Sequence, residues 1–206
     1  MTTGGIVLCG GRSARMGRPK AWLPVGGEPM LQRVVRVVAE AAARVVVVAA
    51  PGQVVPALPT GVELVRDTAE GNGPLQGLAA GLTALEGRAD AAVITGCDVP
   101  FLTAAFLGRL VSLRGAAAAC VPFADGFPHP LPGVYAVCVL PEIHGLLAAG
   151  CFRLGGLLDR VSARFVAPAE FADMDPKFDT LRNVNTTDDY ARVLAELALP
   201  PDGGSR

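Results

Sequence analysis

The chain has 206 residues, of which 51% are hydrophobic and 18% charged, with a formal net charge of −1. That length and apolar content suit one domain with a substantial core. The balanced charge argues against nucleic acid as a partner, and no apolar run approaches the roughly 20 residues of a membrane span.

The first apolar run, Gly5-Ile6-Val7-Leu8, reads as a buried strand. It leads into Cys9-Gly10-Gly11-Arg12-Ser13-Ala14-Arg15-Met16-Gly17-Arg18-Pro19-Lys20. Adjacent glycines let the backbone turn sharply and come close to a ligand. Arg12, Arg15 and Lys20, with Arg18, bring positive charge to the same loop. Exposed backbone N–H groups plus converging cations are what a triphosphate requires. The order excludes a P-loop, which places lysine directly after its last glycine. The dinucleotide pattern G-x-G-x-x-G is absent as well.

Further along, helix-like segments near 28–42, 75–86, 103–113, 141–149, 153–161 and 187–198 alternate with apolar runs at 44–50, 62–65, 91–95, 116–121 and 133–139. Such alternation predicts a three-layer α/β/α sandwich around a mostly parallel sheet. Thr103 is the expected N-cap of the third helix, and Thr187 with Asp188 that of the last. We expect a single domain over residues 1–199, with 200–206 as a tail that builds no core. Cys9, Cys97, Cys120, Cys138 and Cys151 are odd in number and lack metal-site spacing. They read as reduced core residues of a cytoplasmic protein. No signal peptide is legible at the N-terminus.

In sheets of this kind ligands sit beyond the carboxyl ends of the strands. Asp98, in Gly96-Cys97-Asp98-Val99-Pro100-Phe101, stands there with a carboxylate suited to Mg²⁺. Asp67 opens a loop that ends at Gly73-Pro74-Leu75, where Pro74 suits the first turn of a helix. A carboxylate there could accept from the ring N–H and exocyclic amine that guanine carries on one edge. Asn183 and Asn185 alternate around Val184 and so share a face. They could bond phosphate, pterin or water. His129 and Pro130 precede a strand, and Arg153 could grip an anionic group.

The first loop resembles the signature L-x-G-G-x-S-x-R-M-G-x-x-K of nucleotidyltransferases with a Rossmann-like fold. It matches at Leu8, Gly10, Gly11, Ser13, Arg15, Met16, Gly17 and Lys20. Within that superfamily the chain looks most like the molybdenum cofactor guanylyltransferases. The C-D-x-P-F segment at Asp98, the D…G-P-L-x-G-L pattern from Asp67 to Leu78, and N-x-N-T at Asn183 match in order. The resemblance implies a Mg²⁺-dependent enzyme that moves GMP from GTP to molybdenum-bound molybdopterin and contacts molybdoenzymes transiently. It implies catalytic roles for Arg15, Lys20 and Asp98, with Asp98 on the metal. The nucleotide would meet Leu8, Cys9, Gly10, Gly11, Ser13, Arg15, Lys20, Asp67, Gly73, Pro74, Leu75 and Asp98. The acceptor would meet His129, Pro130, Arg153, Asn183 and Asn185. Two departures stand out. Pro19 precedes the lysine where the family often has Asp, and Val47-Val48-Ala49-Ala50 lacks an asparagine that several members place after the second strand. The rivals are cytidylyl transfer to the same cofactor, a sugar-phosphate acceptor, and a non-catalytic nucleotide-binding or cofactor-delivery module.

Overall fold

The computed structural model describes residues 1–10, 16–67 and 73–198. In chain order the strands are β1 (Thr3–Leu8), β2 (Pro24–Val25), β3 (Glu28–Pro29), β4 (Arg44–Ala49), β5 (Val62–Arg66), β6 (Ala91–Gly96), β7 (Ala119–Ala124), β8 (Phe127–Pro128), β9 (Gly133–Ala136) and β10 (Ala163–Val166). The α-helices are α1 (Met30–Ala41), α2 (Gly73–Leu85), α3 (Ala104–Arg114), α4 (Leu140–Ala148), α5 (Leu154–Leu158) and α6 (Thr187–Ala198). Among the described residues, the main sheet runs β10-β7-β9-β6-β1-β4-β5, with β8 pairing on β7. β9 alone in that order runs antiparallel to its neighbours; the β1–β4, β1–β6, β4–β5 and β7–β10 pairs are parallel.

The strand period of two sorts the core. Val7, Val45, Val47 and Val93 face α1 and α3. Ile6, Val46, Val48 and Ile94 face α2, α4 and α5. Strands covered on both faces read as continuous apolar runs, which is why β4 is nearly all valine. A third, smaller cluster packs Val184, Tyr190 and Val193 on Leu23, Val25 and Met30. The Tyr190 hydroxyl donates to Pro24 O at 2.6 Å. This cluster fastens the C-terminal helix beside the segment that follows the glycine loop.

Several expectations shift. The strand expected at 116–121 begins at Ala119, the first residue that pairs with both neighbours, opposite Tyr135 of β9 and Ala163 of β10. Ala117 instead closes a turn on Arg114. The run 133–139 divides, because after Ala136 it winds into a 3-10 turn, Val137–Val139, that leads into α4. That turn exposes Cys138, correcting its reading as core; Cys9, Cys97 and Cys120 are buried. α5 stops at Leu158, short of 161. β10 and the β2–β3 hairpin were not expected. Both are too short to show a pattern. Thr103 caps α3 as expected, its hydroxyl accepting from Phe106 N at 3.2 Å. The cap of α6 falls one residue early. Thr186 accepts from Asp189 N, and the Asp189 carboxylate accepts from Asn185 N and Thr186 N.

Candidate active site

β1 lies between β4 and β6, and the chain reaches those neighbours by helices on opposite faces of the sheet. The carboxyl end of β1 is therefore the topological switch point, where a crevice opens in an α/β sheet. Leu8, Cys9 and Gly10 lead into it. Gly11, Ser13 and Arg15 lie outside the described residues.

Three side chains from distant parts of the chain meet at this end. Lys20, in a single 3-10 turn (Lys20–Trp22), places Nζ 2.8 Å from Asp98 Oδ2 and 2.7 Å from Asn185 Oδ1. Asp98 stands two residues past the end of β6. Its backbone carbonyl accepts from Val184 N at 2.9 Å, so the loop carrying Asn185 is stitched to the loop carrying Asp98. Lys20 and Asp98 side chains keep 18% and 21% of their exposure, leaving the pair open to a ligand. A Cβ on Gly96 would stand 2.6 Å from Asp98 Oδ1, so only glycine there leaves room for this carboxylate orientation.

Supporting contacts hold the loops. Arg33 Nε donates to Pro100 O at 2.8 Å, which ties the segment after Asp98 to α1. Arg182 bonds both oxygens of Glu196 and one of Asp179, and covers the Phe101 ring at 4.8 Å. These bonds hold its guanidinium protonated even more firmly than usual. Arg18 lies over the Tyr190 ring, 5.7 Å from its centroid.

On the other side of β1, Asp67 leaves β5 half-buried, its N–H bonded to Ala49 O at 2.9 Å. Gly73 starts α2 at φ +74°, and Leu75 N donates to Phe152 O at 3.3 Å. A side chain at Gly73 would be strained by that φ and would meet Phe152 O at 2.8 Å. Pro74 is exposed, whereas the Leu75 side chain is fully buried in the core. The Leu75 side chain therefore belongs to the core, and its N–H is already bonded to Phe152 O.

The acceptor candidates divide. Asn183 and Asn185 are both exposed around buried Val184, sharing a face as the alternation predicts. Asn185 joins Lys20. His129 sits on the β7–β8 hairpin, where Nε2 donates to Ala124 O at 3.3 Å and the ring packs at a tilt against Phe127, centroids 4.5 Å apart. Pro130 O accepts from the buried Tyr135 hydroxyl at 2.9 Å. Arg153 is exposed at the start of α5.

Sequence reasoning missed Gln53 and Arg66. Arg66 Nη1 donates to Ala50 O and Gln53 O, and Gln53 reaches Cys9. The one available signal was a long amide right after the Pro51-Gly52 turn. Cys97 donates to Cys9 Sγ within the buried cluster under α1 and α3. This bond, with burial, holds the Cys97 thiol well above its usual range, while the same bond and the Gln53 amide lower Cys9. The described residues hold no cluster of three His, Cys, Asp or Glu side chains fit for a metal ion. They also hold no helix long and apolar enough to cross a membrane.

The chain matches the family model of the MobA-like NTP transferase domain over residues 5–163. It is 35% identical over 201 residues to a probable molybdenum cofactor guanylyltransferase of Mycobacterium avium strain 104, covering 95% of this chain and 96% of that one. Among solved structures, molybdopterin-guanine dinucleotide biosynthesis protein A of Archaeoglobus fulgidus aligns with a TM-score of 0.75 at 21% identity, over 94% of this chain and 97% of that one. A Mycobacterium tuberculosis H37Rv protein solved as a manganese complex aligns with a TM-score of 0.66 at 22% identity, over 95% and 99%.

Proposed function

Because the chain belongs to the MobA-like NTP transferase domain family and is a nucleotidyltransferase, we propose that it transfers GMP from GTP to molybdenum-bound molybdopterin and releases pyrophosphate. The observation that carries this reading is the convergence of Lys20, Asp98 and Asn185 at the switch point, beside the end of β1. The name of the Mycobacterium avium relative supports the acceptor and the nucleotide. The reading takes residues 1–199 as one nucleotidyltransferase domain working in the cytoplasm.

The chemistry needs no general base. The acceptor is a phosphate, anionic near neutral pH. One of its oxygens attacks the α-phosphorus of GTP, the bond from that phosphorus to the bridging oxygen breaks, and the electron pair leaves with pyrophosphate. Catalysis then rests on alignment and on offsetting charge. Lys20 supplies a fixed cation against the triphosphate. Asn185 holds that ammonium from the acceptor side. The β1 loop offers backbone N–H groups to the phosphates.

Asp98 fits Mg²⁺. The space beside Gly96 admits its carboxylate, and Mg²⁺ is satisfied by one or two carboxylates together with phosphate oxygens and water. Bound there, the ion would neutralise charge developing on the α-phosphate. Asp67 stands past β5 on the β4 side of the crevice, where its carboxylate could accept both N–H groups on the guanine edge. Cytosine and adenine lack that pair, and a site built on such bonds leaves buried groups unpaired with the wrong base.

The test is to incubate the protein with Mg²⁺, molybdenum-loaded molybdopterin and each of the four NTPs in turn, and to identify the dinucleotide by mass spectrometry. Guanine dinucleotide with stoichiometric pyrophosphate is expected. Faster formation of the cytosine product would replace this reading with the cytidylyl one.

A further inference from the structure

The β1–β4 ladder ends in an unusual way. Parallel pairing runs in register from Gly4↔Arg44 to Leu8↔Val48. The next bond, Cys9 N to Val48 O at 2.8 Å, continues it. In a parallel ladder the following rung would run from Ala50 N to Cys9 O. Between these two residues the side chain of Gln53 intervenes. Its Oε1 accepts from Ala50 N at 3.0 Å, and its Nε2 donates to Cys9 O at 3.0 Å, with Cys9 Sγ at 3.5 Å. One carboxamide replaces one peptide hydrogen bond.

The turn that delivers Gln53 is itself clamped. Gln53 N donates to Ala50 O at 3.2 Å, and Arg66 Nη1 bonds Ala50 O at 3.1 Å and Gln53 O at 2.6 Å. Arg66 immediately precedes Asp67, whose own N–H is bonded to Ala49 O. The start of the glycine loop, the turn after β4 and the end of β5 are thereby joined into one piece.

The consequence falls on Gly10. A peptide unit is planar and trans, so its C=O and N–H point in opposite directions. Gln53 holds the Cys9 carbonyl on the β4 side. The Gly10 N–H of the same peptide is therefore turned toward β6, the side on which Asp98 and Lys20 stand. A bridge of two hydrogen bonds also spans more than one, so the side-chain rung keeps β1 and β4 from closing at the mouth of the crevice.

We propose that Gln53 is the positioning residue at the start of the glycine loop, a side-chain rung between β1 and β4 that spaces the two strands, sets where the Gly10 amide stands before the triphosphate and holds the switch-point crevice open. The proposal rests on reading this crevice as the triphosphate site, but not on which base the nucleotide carries.

The experiment follows the Gly10 and Ala50 amides by ¹⁵N NMR in the full chain, titrated with inorganic triphosphate and Mg²⁺. Steady-state kinetics with GTP run alongside. In wild type, triphosphate moves the Gly10 resonance. In Gln53→Ala the two backbone groups can form the direct rung. Ala50 N–H should then gain protection from exchange and the melting temperature should hold. That rung keeps the Cys9 carbonyl on the β4 side but draws the start of the glycine loop toward β4 and away from the triphosphate, so triphosphate affinity should fall roughly tenfold or more, the scale of one lost hydrogen bond to a charged group. KM for GTP should rise more than kcat falls. Gln53→Glu keeps the acceptor for Ala50 N–H and loses the donor to Cys9 O, so it should also bind triphosphate weakly while remaining folded. A merely structural Gln53 predicts the reverse pattern, a lower melting temperature with wild-type KM. If wild type binds triphosphate and Gln53→Ala binds it equally, with the same Gly10 shift, the proposal is overturned while the nucleotide reading stands. If wild type binds neither triphosphate nor GTP, both fall.

Discussion

The two ends of the proposed reaction site are built differently. On the β1–β6 side, polar side chains 78 and 165 residues apart in sequence bond to one another, Lys20 with Asp98 and Asn185. On the β7–β9 side, the candidate polar groups are spent on their own neighbourhood. His129 bonds a carbonyl five residues away, and Pro130 serves the Tyr135 hydroxyl, also five residues on. Folding brings the first set together at a cost in chain entropy that local hairpin formation does not carry, and that the packing and bonding around it must offset. The second set follows from the hairpin itself. Long-range convergence of charged groups is therefore the better guide to where the chemistry lies.

Breaking the first set should produce the largest effects. Asp98→Asn keeps the shape and a bond to Lys20 but removes the anion. It should lower kcat by roughly a thousandfold, the scale of several kcal/mol of lost charge stabilisation, with the melting temperature close to wild type. Retention of Mg²⁺-dependent turnover would detach Asp98 from the metal. Lys20→Ala should follow, at about a hundredfold in kcat/KM. Its calorimetric affinity should fall more for GTP than for GMP, which lacks the β- and γ-phosphates. Equal losses for both nucleotides would move Lys20 away from those phosphates.

A subtler test addresses the β4 side. Asp67→Asn exchanges an acceptor for a donor against guanine, and should shrink the GTP-over-CTP ratio in competition assays by roughly tenfold. An unchanged ratio would place base recognition elsewhere.

Asp189 tests the scaffold rather than the chemistry. Hydrogen bonds from the Thr186 hydroxyl and from the Asn185 and Thr186 amides hold its carboxyl below the usual range. A depressed folded-state pKa stabilises above the ordinary carboxylate value and is lost as pH falls through the depressed one. Asp189→Ala should thus lower the melting temperature more at pH 7 than at a pH below the ordinary carboxylate range. A matching deficit at both would show that the cap acts without its charge. The smallest effect belongs to His129→Ala, which should leave kcat nearly untouched and cost about 1 kcal/mol of stability for its lost bond. A large fall in kcat there would erase the contrast between the two sides.

Much of this was legible in the sequence. Runs such as Arg44–Ala49 and Ala91–Gly96 announce buried strands, because covering on both faces removes polar alternation. Lys20, Asp98 and Asn185 each stand in a recognisable segment. Their mutual bonding was not legible, since it depends on Val184 and, from α6, Tyr190 docking onto the segment after the glycine loop. β10 escaped notice because a four-residue, half-exposed edge strand carries too few residues to show a period. Gln53 escaped for a related reason. Its role exists only where two strands part, and nothing in a Pro-Gly-Gln turn specifies which carbonyl the amide will find.

The most direct measurement of the central claim is the Mg²⁺ dependence of GTP affinity, by calorimetry in saturating Mg²⁺ and in chelator, for wild type and Asp98→Asn. The account predicts that wild-type affinity collapses on chelation while the variant, already weak, changes little. Asp98→Asn retaining the full wild-type dependence on Mg²⁺ would contradict it.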